Sequence, residues 1–336
     1  MQGHVPKWWE HGLPHDIEHG VLVCYRSTGL GIFGAAARWV GMPLEKVALV
    51  MNSSQVSGSG QLQQAFRITF AEGLLAPYKV VGRASLVAWF MQYSVMGFVF
   101  QVCDSVLSKA MGVPRVLYGE ELMLSSEERD KRQHTAAICE PGMSHSPPAS
   151  EAALTAAKAT LAPLLAGTIE SAVANRAEVQ RYFGITQFAK IEARLNWDVV
   201  RRMCGPAFLA NASRNFIMSS TSFVITPLLF AHYYPQEHKS QQSLFWFGLG
   251  VNIFVGNQIA ITQQALWGRA LDYAAHQGGR PINYPAVITQ GLKAEGIRAF
   301  YTPAKWCVAP CSAHQAAWPR ICTFTPLPLR TTILTR

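Results

Sequence analysis

The sequence predicts an all-α membrane protein, a helical bundle of five or six transmembrane helices arranged as three loosely repeated helix pairs. Three observations predict it: charge-free segments long enough to cross a bilayer, an internally repeated turn motif, and a lean charge content. Of 336 residues 49% are apolar and only 15% charged, fewer charges than a soluble chain of this size usually carries.

A helix crosses a bilayer with about 20 residues. Segments 84–103, 215–236 and 241–268 contain no Asp, Glu, Lys or Arg over such a length, and a buried soluble helix rarely runs so far without charge. Two further segments, 21–49 and 152–177, are apolar but interrupted, the first by Arg26 and Arg38, the second by Lys158, Glu170 and Arg176. Ionisable groups inside a span are costly unless they face a bundle interior or a watery cavity. These two helices are therefore expected to line something wet. Gly29, Gly31 and Gly34 in the first, and Gly248, Gly250 and Gly256 in the last, put small residues where helices can approach closely.

The remaining stretches read differently. Residues 1–18 form an N-terminal extension that lacks both the apolar core of a secretory signal and the Arg/Ser content of a transit peptide. Residues 109–150 are charged and end in Pro and Ser, which reads as an exposed loop insertion. Residues 307–336 hold four prolines and neither Asp nor Glu; they form an atypical tail with no convincing sixth span, because proline interrupts a helix. The abrupt change at Cys307 is what a misplaced splice or frame shift would produce.

The sequence argues against several function classes. It carries no phosphate-loop, zinc-protease or paired C-x-x-C motif, so no enzyme activity is expected. Its seven scattered cysteines suggest neither a disulfide framework nor a metal site, and His15 and His19, though spaced i, i+4, lack further ligands. No cofactor or metal is expected. The N-x-[ST] matches at Asn52 and Asn211 are of a kind that arises by chance. A formal charge of +9 suits anionic lipid or anionic metabolites; nucleic acid is not expected, since the basic residues are dispersed rather than clustered.

The repeat lies at residues 72–78, EGLLAPY, and 295–301, EGIRAFY, which share Glu, Gly, Ala and Tyr at identical offsets. Each follows a short amphipathic stretch, 66–70 and 287–292, downstream of a long apolar segment. Further matches fall in order: Pro43-Leu44-Glu45 at the end of the first apolar segment, and AFLANASRN at 207–215.

Taken together, over about residues 20–306, these motifs resemble the mitochondrial carrier family. Each of its three repeats has a helix ending in P-x-[DE]-x-x-[KR], a short matrix helix, an acidic-Gly turn and a second helix. The resemblance places repeat one at 19–108, repeat two at 151–236 and a partial repeat three at 237–306. In that family, motif acids and bases pair across odd-numbered helices and close the cavity. The resemblance implies one surviving gate ion pair, Glu45 with Arg176, while Val173 faces Trp267 and Gln264 faces Ala48, each having lost both charges. It also implies substrate binding by Arg214 and Asn215, a pair similar to that of the carboxylate and keto-acid carriers; an Arg binds a carboxylate through two parallel hydrogen bonds. Gln92, Tyr93 and Ser94 are the polar residues near mid-depth of the second helix.

The expected function is therefore solute transport, of a carboxylate or keto acid, across the mitochondrial inner membrane. The alternative is a non-transporting carrier-fold subunit or scaffold of an inner-membrane complex, favoured by the degenerate gates. Expected partners are membrane lipid, a small anionic metabolite, and a protein partner or second copy covering the place of the sixth helix.

Overall fold

The computed structural model describes residues 15–52, 60–79, 83–116, 122, 123, 125, 148–183, 204–276 and 281–301. Among the described residues all regular structure is helical. The expected tail 307–336 and most of the expected loop 109–150 lie outside them. Helix α1 (His15–Val40) is followed by α2 (Met42–Asn52), the short α3 (Gln61–Thr69) and α4 (Ala76–Lys79), and the long α5 (Arg83–Met111). After these come α6 (Pro148–Phe183), α7 (Phe208–Ser220) and α8 (Thr226–Tyr233). The last are α9 (Gln241–Val251), α10 (Asn257–His276) and α11 (Tyr284–Glu295). Helices thus extend into both ends of the 109–150 stretch, and α1 begins inside the expected N-terminal extension.

Among the described residues, three helical segments are long and apolar enough to cross a membrane: Leu86–Met111, Ala152–Gln180 and Phe208–Tyr233. A fourth is reached if the pair Gln241–Gly256 and Gln258–His276, bent by 53°, counts as one span. The interrupted segment 152–177 is thus among them. The segment 241–268, which reads as one continuous helix in sequence, is bent instead.

Local chemistry explains the irregular places. A π turn at Thr221–Ile225 joins α7 to α8, and Pro227 follows at the start of α8. Proline has no N–H to give the preceding turn and its ring crowds the carbonyl four residues back; a π turn widens the helix where that crowding falls. A second π turn, Asn252–Gly256, lies against the first, with Ser222 Oγ donating to Asn252 Oδ1 at 2.9 Å. Helix α9 starts on a capping box between Ser240 and Ser243, which satisfies backbone donors left over at a helix start. Helix α11 starts on Asn283, whose side chain accepts from Ala286 N at 3.1 Å. Tyr284 is half-buried there, and loss of water pushes its phenol above the ordinary value, against the pull of hydrogen bonds from the Ala210 and Leu209 backbone.

The two copies of the repeated motif are built alike. Each short amphipathic helix, α3 and α11, runs into the Glu-Gly turn, and Gly73 and Gly296 adopt φ of 101° and 62°, a region that side-chain-bearing residues seldom enter. Ala76 and Ala299 are then buried, while Leu74 and Ile297 are exposed. Each motif Tyr reaches a long helix: Tyr78 OH donates to Val40 O at 3.3 Å, and Tyr301 OH to Gln258 Oε1 at 3.1 Å. Arg269 holds the second copy, pairing with Glu295 at 2.8 Å and donating to Ala299 O at 3.0 Å.

The long helices pack in sequence order: α1 on α5, α5 on α6, α6 on α7, and α7 on α10, which in turn reaches α2. Leu30, Trp89, Tyr93, Phe100, Ala162 and Phe223 form the larger core, and Val179, Ala210, Trp267 and Leu271 a second. Glycines set the closest approaches. A Cβ at Gly34 would sit 2.3 Å from Tyr93 Cδ2, one at Gly31 2.8 Å from Phe90 O, and one at Gly256 3.0 Å from Thr221. Of the glycines expected at helix contacts, Gly250 is not one, since its Cβ would meet nothing within 4 Å. Gly167, which sequence reading passed over, makes the tightest backbone contact: a Cβ there would lie 2.5 Å from Phe216 N.

That contact gives a test of α6–α7 packing. Gly167→Ala is expected to cost about 1–3 kcal/mol by overpacking, although alanine favours a helix by roughly 1 kcal/mol over glycine. Gly250→Ala is expected to hold or raise the melting temperature. Thermal unfolding of the two variants in detergent checks the pair, and a Gly167→Ala protein as stable as wild type contradicts the packing described.

Candidate functional site

A layer of charged and amide side chains crosses the bundle at the level where α1, α5, α6, α7 and α10 meet. On α1, Arg38 is 8% exposed and binds Glu178 of α6 with both arms, Nη1 to Oε1 at 2.7 Å and Nη2 to Oε2 at 2.9 Å. Nη1 also donates to Gln92 Oε1 of α5 at 2.8 Å, and the guanidinium lies 5.0 Å over the Trp89 ring. Two parallel bonds to a carboxylate use the planar arginine fork fully. The pair is therefore satisfied as well as neutral.

Glu170 lies eight residues before Glu178 on α6 and is 1% exposed. Its Oε2 accepts from Asn215 Nδ2 of α7, which also donates to Ser171 Oγ at 2.8 Å. Ser171 Oγ in turn donates to Gly167 O at 2.7 Å, so the close helix approach at Gly167 brings these groups into reach. Gln92 of α5 also faces the Glu170 carboxylate as a hydrogen-bond partner.

Arg214 completes the layer from α7. Its Nη1 donates to Gln264 Oε1 of α10 at 2.6 Å and its Nε to Asn215 Oδ1 at 3.1 Å, with the guanidinium 6.0 Å over Trp267. Among the described residues no acceptor reaches its Nη2, and the side chain is only partly buried. Ser213 Oγ donates to Gln263 Oε1 at 2.8 Å beside it. Trp267 Nε1 donates to Asn175 Oδ1 at 3.2 Å, and Asn175 Nδ2 ties the start of α7 to α6 through Cys204 O at 2.6 Å and Pro206 O at 2.9 Å.

A second buried ion pair lies further along α6. Lys158 Nζ meets Asp104 Oδ1 of α5 at 2.7 Å and donates to Ser108 Oγ at 3.1 Å and Pro114 O at 2.6 Å. Asp104 Oδ2 accepts from Val116 N at 2.9 Å. With a rise of about 1.5 Å per residue, Lys158 stands roughly 18 Å before Glu170 along α6, and Glu178 about 12 Å after it. Along α6, Glu170 therefore stands between Lys158 and Glu178.

The sequence-predicted residues fall into two groups. Arg214 and Asn215 sit together in the polar layer, along with Arg38, Glu170 and Gln92, which had been expected to face a wet interior or mid-depth. Arg176 is exposed on α6, and Glu45 lies on α2 with a side chain outside the described residues, so the predicted Glu45–Arg176 pair lies outside them too. A link between α1 and α6 runs through Arg38 and Glu178, with the base on α1. Trp267, aligned with Val173, meets Asn175, while Val173 is exposed. Asn211, a sequon match, is fully buried and closed to glycosylation. Sequence reading missed Asp104 and Glu178. Asp104 ends the charge-free run 84–103, and Glu178 lies two helical turns beyond Glu170 on one face, a spacing that signals a shared interior surface.

No protein-family model, curated protein or solved structure matches the chain.

The Arg38–Glu178 pair makes a thermodynamic prediction. Removing one member strands the other charge in the bundle, at a cost of about 3–5 kcal/mol, whereas replacing both with apolar residues of similar volume is far cheaper. Arg38→Met and Glu178→Met are each expected to lower the melting temperature more than the double variant does. A double variant whose loss equals the sum of the singles contradicts the coupling.

Proposed function

We propose that the chain is a multi-pass membrane protein of mitochondrial-carrier type that moves a small carboxylate across the mitochondrial inner membrane. The observation that carries this reading is Arg214. It is an arginine in the polar layer of the bundle, partly exposed, with no acceptor for Nη2 among the described residues. An intramembrane arginine marks a substrate or ion path more often than a packing role, and a guanidinium binds a carboxylate with charge-assisted bonds.

Further observations support the reading. Long helices pack in chain order, and each copy of the Glu-Gly turn follows a short amphipathic helix, the arrangement expected from the resemblance of residues 20–306. The mitochondrial address rests on that resemblance alone. In this reading the Asp104–Lys158 pair, farther along α6, and the Arg38–Glu178 pair, within the layer of Arg214, serve as the two closures. Alternating access opens one while the other stays paired, and the binding energy of the carboxylate offsets the cost of breaking a buried pair.

The test is uptake of radiolabelled small carboxylates into liposomes holding the purified chain. Saturable uptake is expected in wild type. Loss of a charge-assisted hydrogen bond, about 1.5–3 kcal/mol, predicts a fall of at least tenfold in Arg214→Ala and an intermediate rate in Arg214→Lys, which keeps the charge without the fork. Absence of uptake by correctly folded wild type contradicts transport and favours the structural-subunit reading.

A further inference from the structure

Helices α8 and α9 form a hairpin, closed by a short 3-10 turn at Gln236–His238. It is built as a unit. Phe230 stacks on Tyr234 with ring centres 4.6 Å apart, Phe247 stands edge-on to both at 5.5 and 5.8 Å, and Leu244 is buried beside them. Lys239 Nζ donates to Ala231 O at 3.3 Å at the end of α8, and the Ser240–Ser243 box starts α9. Outside itself the hairpin meets Leu122 and Met123, with Gln236 Nε2 donating to Met123 O at 2.8 Å, and Phe245 lies against the larger core. Both legs join the bundle through a π turn, the first leg at Thr221–Ile225 and the second at Asn252–Gly256, and the two turns touch. The second leg bends by 53° where its turn ends. Ser222 Oγ donates across to Asn252 Oδ1, Asn252 Nδ2 donates back to Gly248 O at 2.9 Å, and Gly256 leaves room for Thr221. A helical serine or threonine hydroxyl commonly bonds the carbonyl four residues back, as those of Thr160, Ser171 and Thr221 do. The buried hydroxyls of Ser219, Ser220 and Thr226, on either side of the first π turn, find no partner among the described residues. A buried hydroxyl left unpaired costs free energy, so a shift of the turn that restores those bonds has free energy to gain.

We propose that the paired π turns are one hinge, about which the α8–α9 hairpin swings as a rigid body, with the Ser222–Asn252 bond as its latch. A π turn holds one residue more than an α turn, and moving that surplus residue along the helix redirects everything beyond it with little loss of backbone hydrogen bonds. A hinge in one leg alone would be blocked by the other leg; two that touch share an axis. Hinges absorb a motion in a few residues while the body beyond them stays packed, which is the division between the π turns and the aromatic core of the hairpin. The hinge is read from the helices alone and holds whatever the bundle carries. Its place bears on the bundle all the same. The hairpin packs on Leu122, in the stretch after α5 that also holds Pro114, the acceptor of Lys158, so the swing acts at the end of the bundle where Asp104 and Lys158 pair.

Distances between spin labels, measured by electron paramagnetic resonance on the full chain in vesicles, test the hinge; the seven native cysteines are first replaced by serine. One label pair at exposed positions, Ala153→Cys with Glu237→Cys, runs from α6 to the hairpin tip; a second, His232→Cys with Gln242→Cys, lies within the hairpin. The pair across the hinge is expected to show two distances and the pair within the hairpin one. Ser222→Ala releases the latch and is expected to raise the ratio of the second distance to the first about fivefold, as loss of one hydrogen bond does. Pro227→Ala lets α7 run on into α8 without the π turn and is expected to leave one distance. A single distance across the hinge in both the parent chain and Ser222→Ala overturns the proposal. Two distances that persist in folded Pro227→Ala, or a ratio unchanged in Ser222→Ala, overturn the assignment of the motion to these turns. Two distances within the hairpin overturn the rigid body. Should Pro227→Ala fail to fold, the parent chain and Ser222→Ala decide alone.

Discussion

The bidentate pair between Arg38 and Glu178 is the interaction on which the rest of the architecture depends. Each of these ions costs several kcal/mol to take out of water, and only good geometry with further hydrogen bonds recovers it. Here that geometry requires α1 and α6 to stand on either side of α5, with Gln92 bridging to Arg38 and Trp89 under the guanidinium. Such short reach is available because Gly31 and Gly34 let α1 settle against Phe90 and Tyr93. Charge and glycine placement therefore form one constraint: bulk at either glycine would pull the fork away from its carboxylate.

Polarity inside the bundle is layered rather than diffuse. The Asp104–Lys158 pair is closed, since the lysine spends its three donors on Asp104, Ser108 and the Pro114 carbonyl. Arg38–Glu178 is closed as well. In the layer of Arg38–Glu178, Asn215 bridges Glu170 and Arg214, donating to Glu170 Oε2 and accepting from Arg214 Nε. Satisfied pairs of this kind fix the geometry of the helices that carry them. Around the bend in the last long segment, the paired π turns and the Ser222–Asn252 bond place irregular backbone against irregular backbone. Local adjustments of this kind mark functional places in helices more often than chance would.

Much of this could be read from the chain itself. Arg38, Lys158 and Glu170 interrupt apolar runs, and the cost of an exposed charge in such a run sent them to the interior, where they lie. Gly31, Gly34 and Gly256 were legible as contact points, and the Glu-Gly repeats as matching turns after amphipathic helices. Partner choice was not legible. Glu178 fell one residue outside the segment drawn as apolar, so Arg38 had no visible acid, and the family pattern offered Glu45 with Arg176 in its place. The role of Asn215 as a shared clamp depends on Gly167 admitting α7, and nothing in hydropathy marks that glycine. The bend between α9 and α10 was also hidden, because a charge-free run looks the same whether it is straight or broken.

Water access to the level of Arg214 is what separates a binding site from a buried structural knot. The most direct measurement uses Gln264→Cys in a chain whose seven native cysteines are replaced by serine, reconstituted in vesicles and treated with a membrane-impermeant thiol reagent from either side. Only a hydrated thiolate reacts. Labelling from both faces is the predicted result. A thiol at position 264 that stays unreactive from both faces contradicts the account.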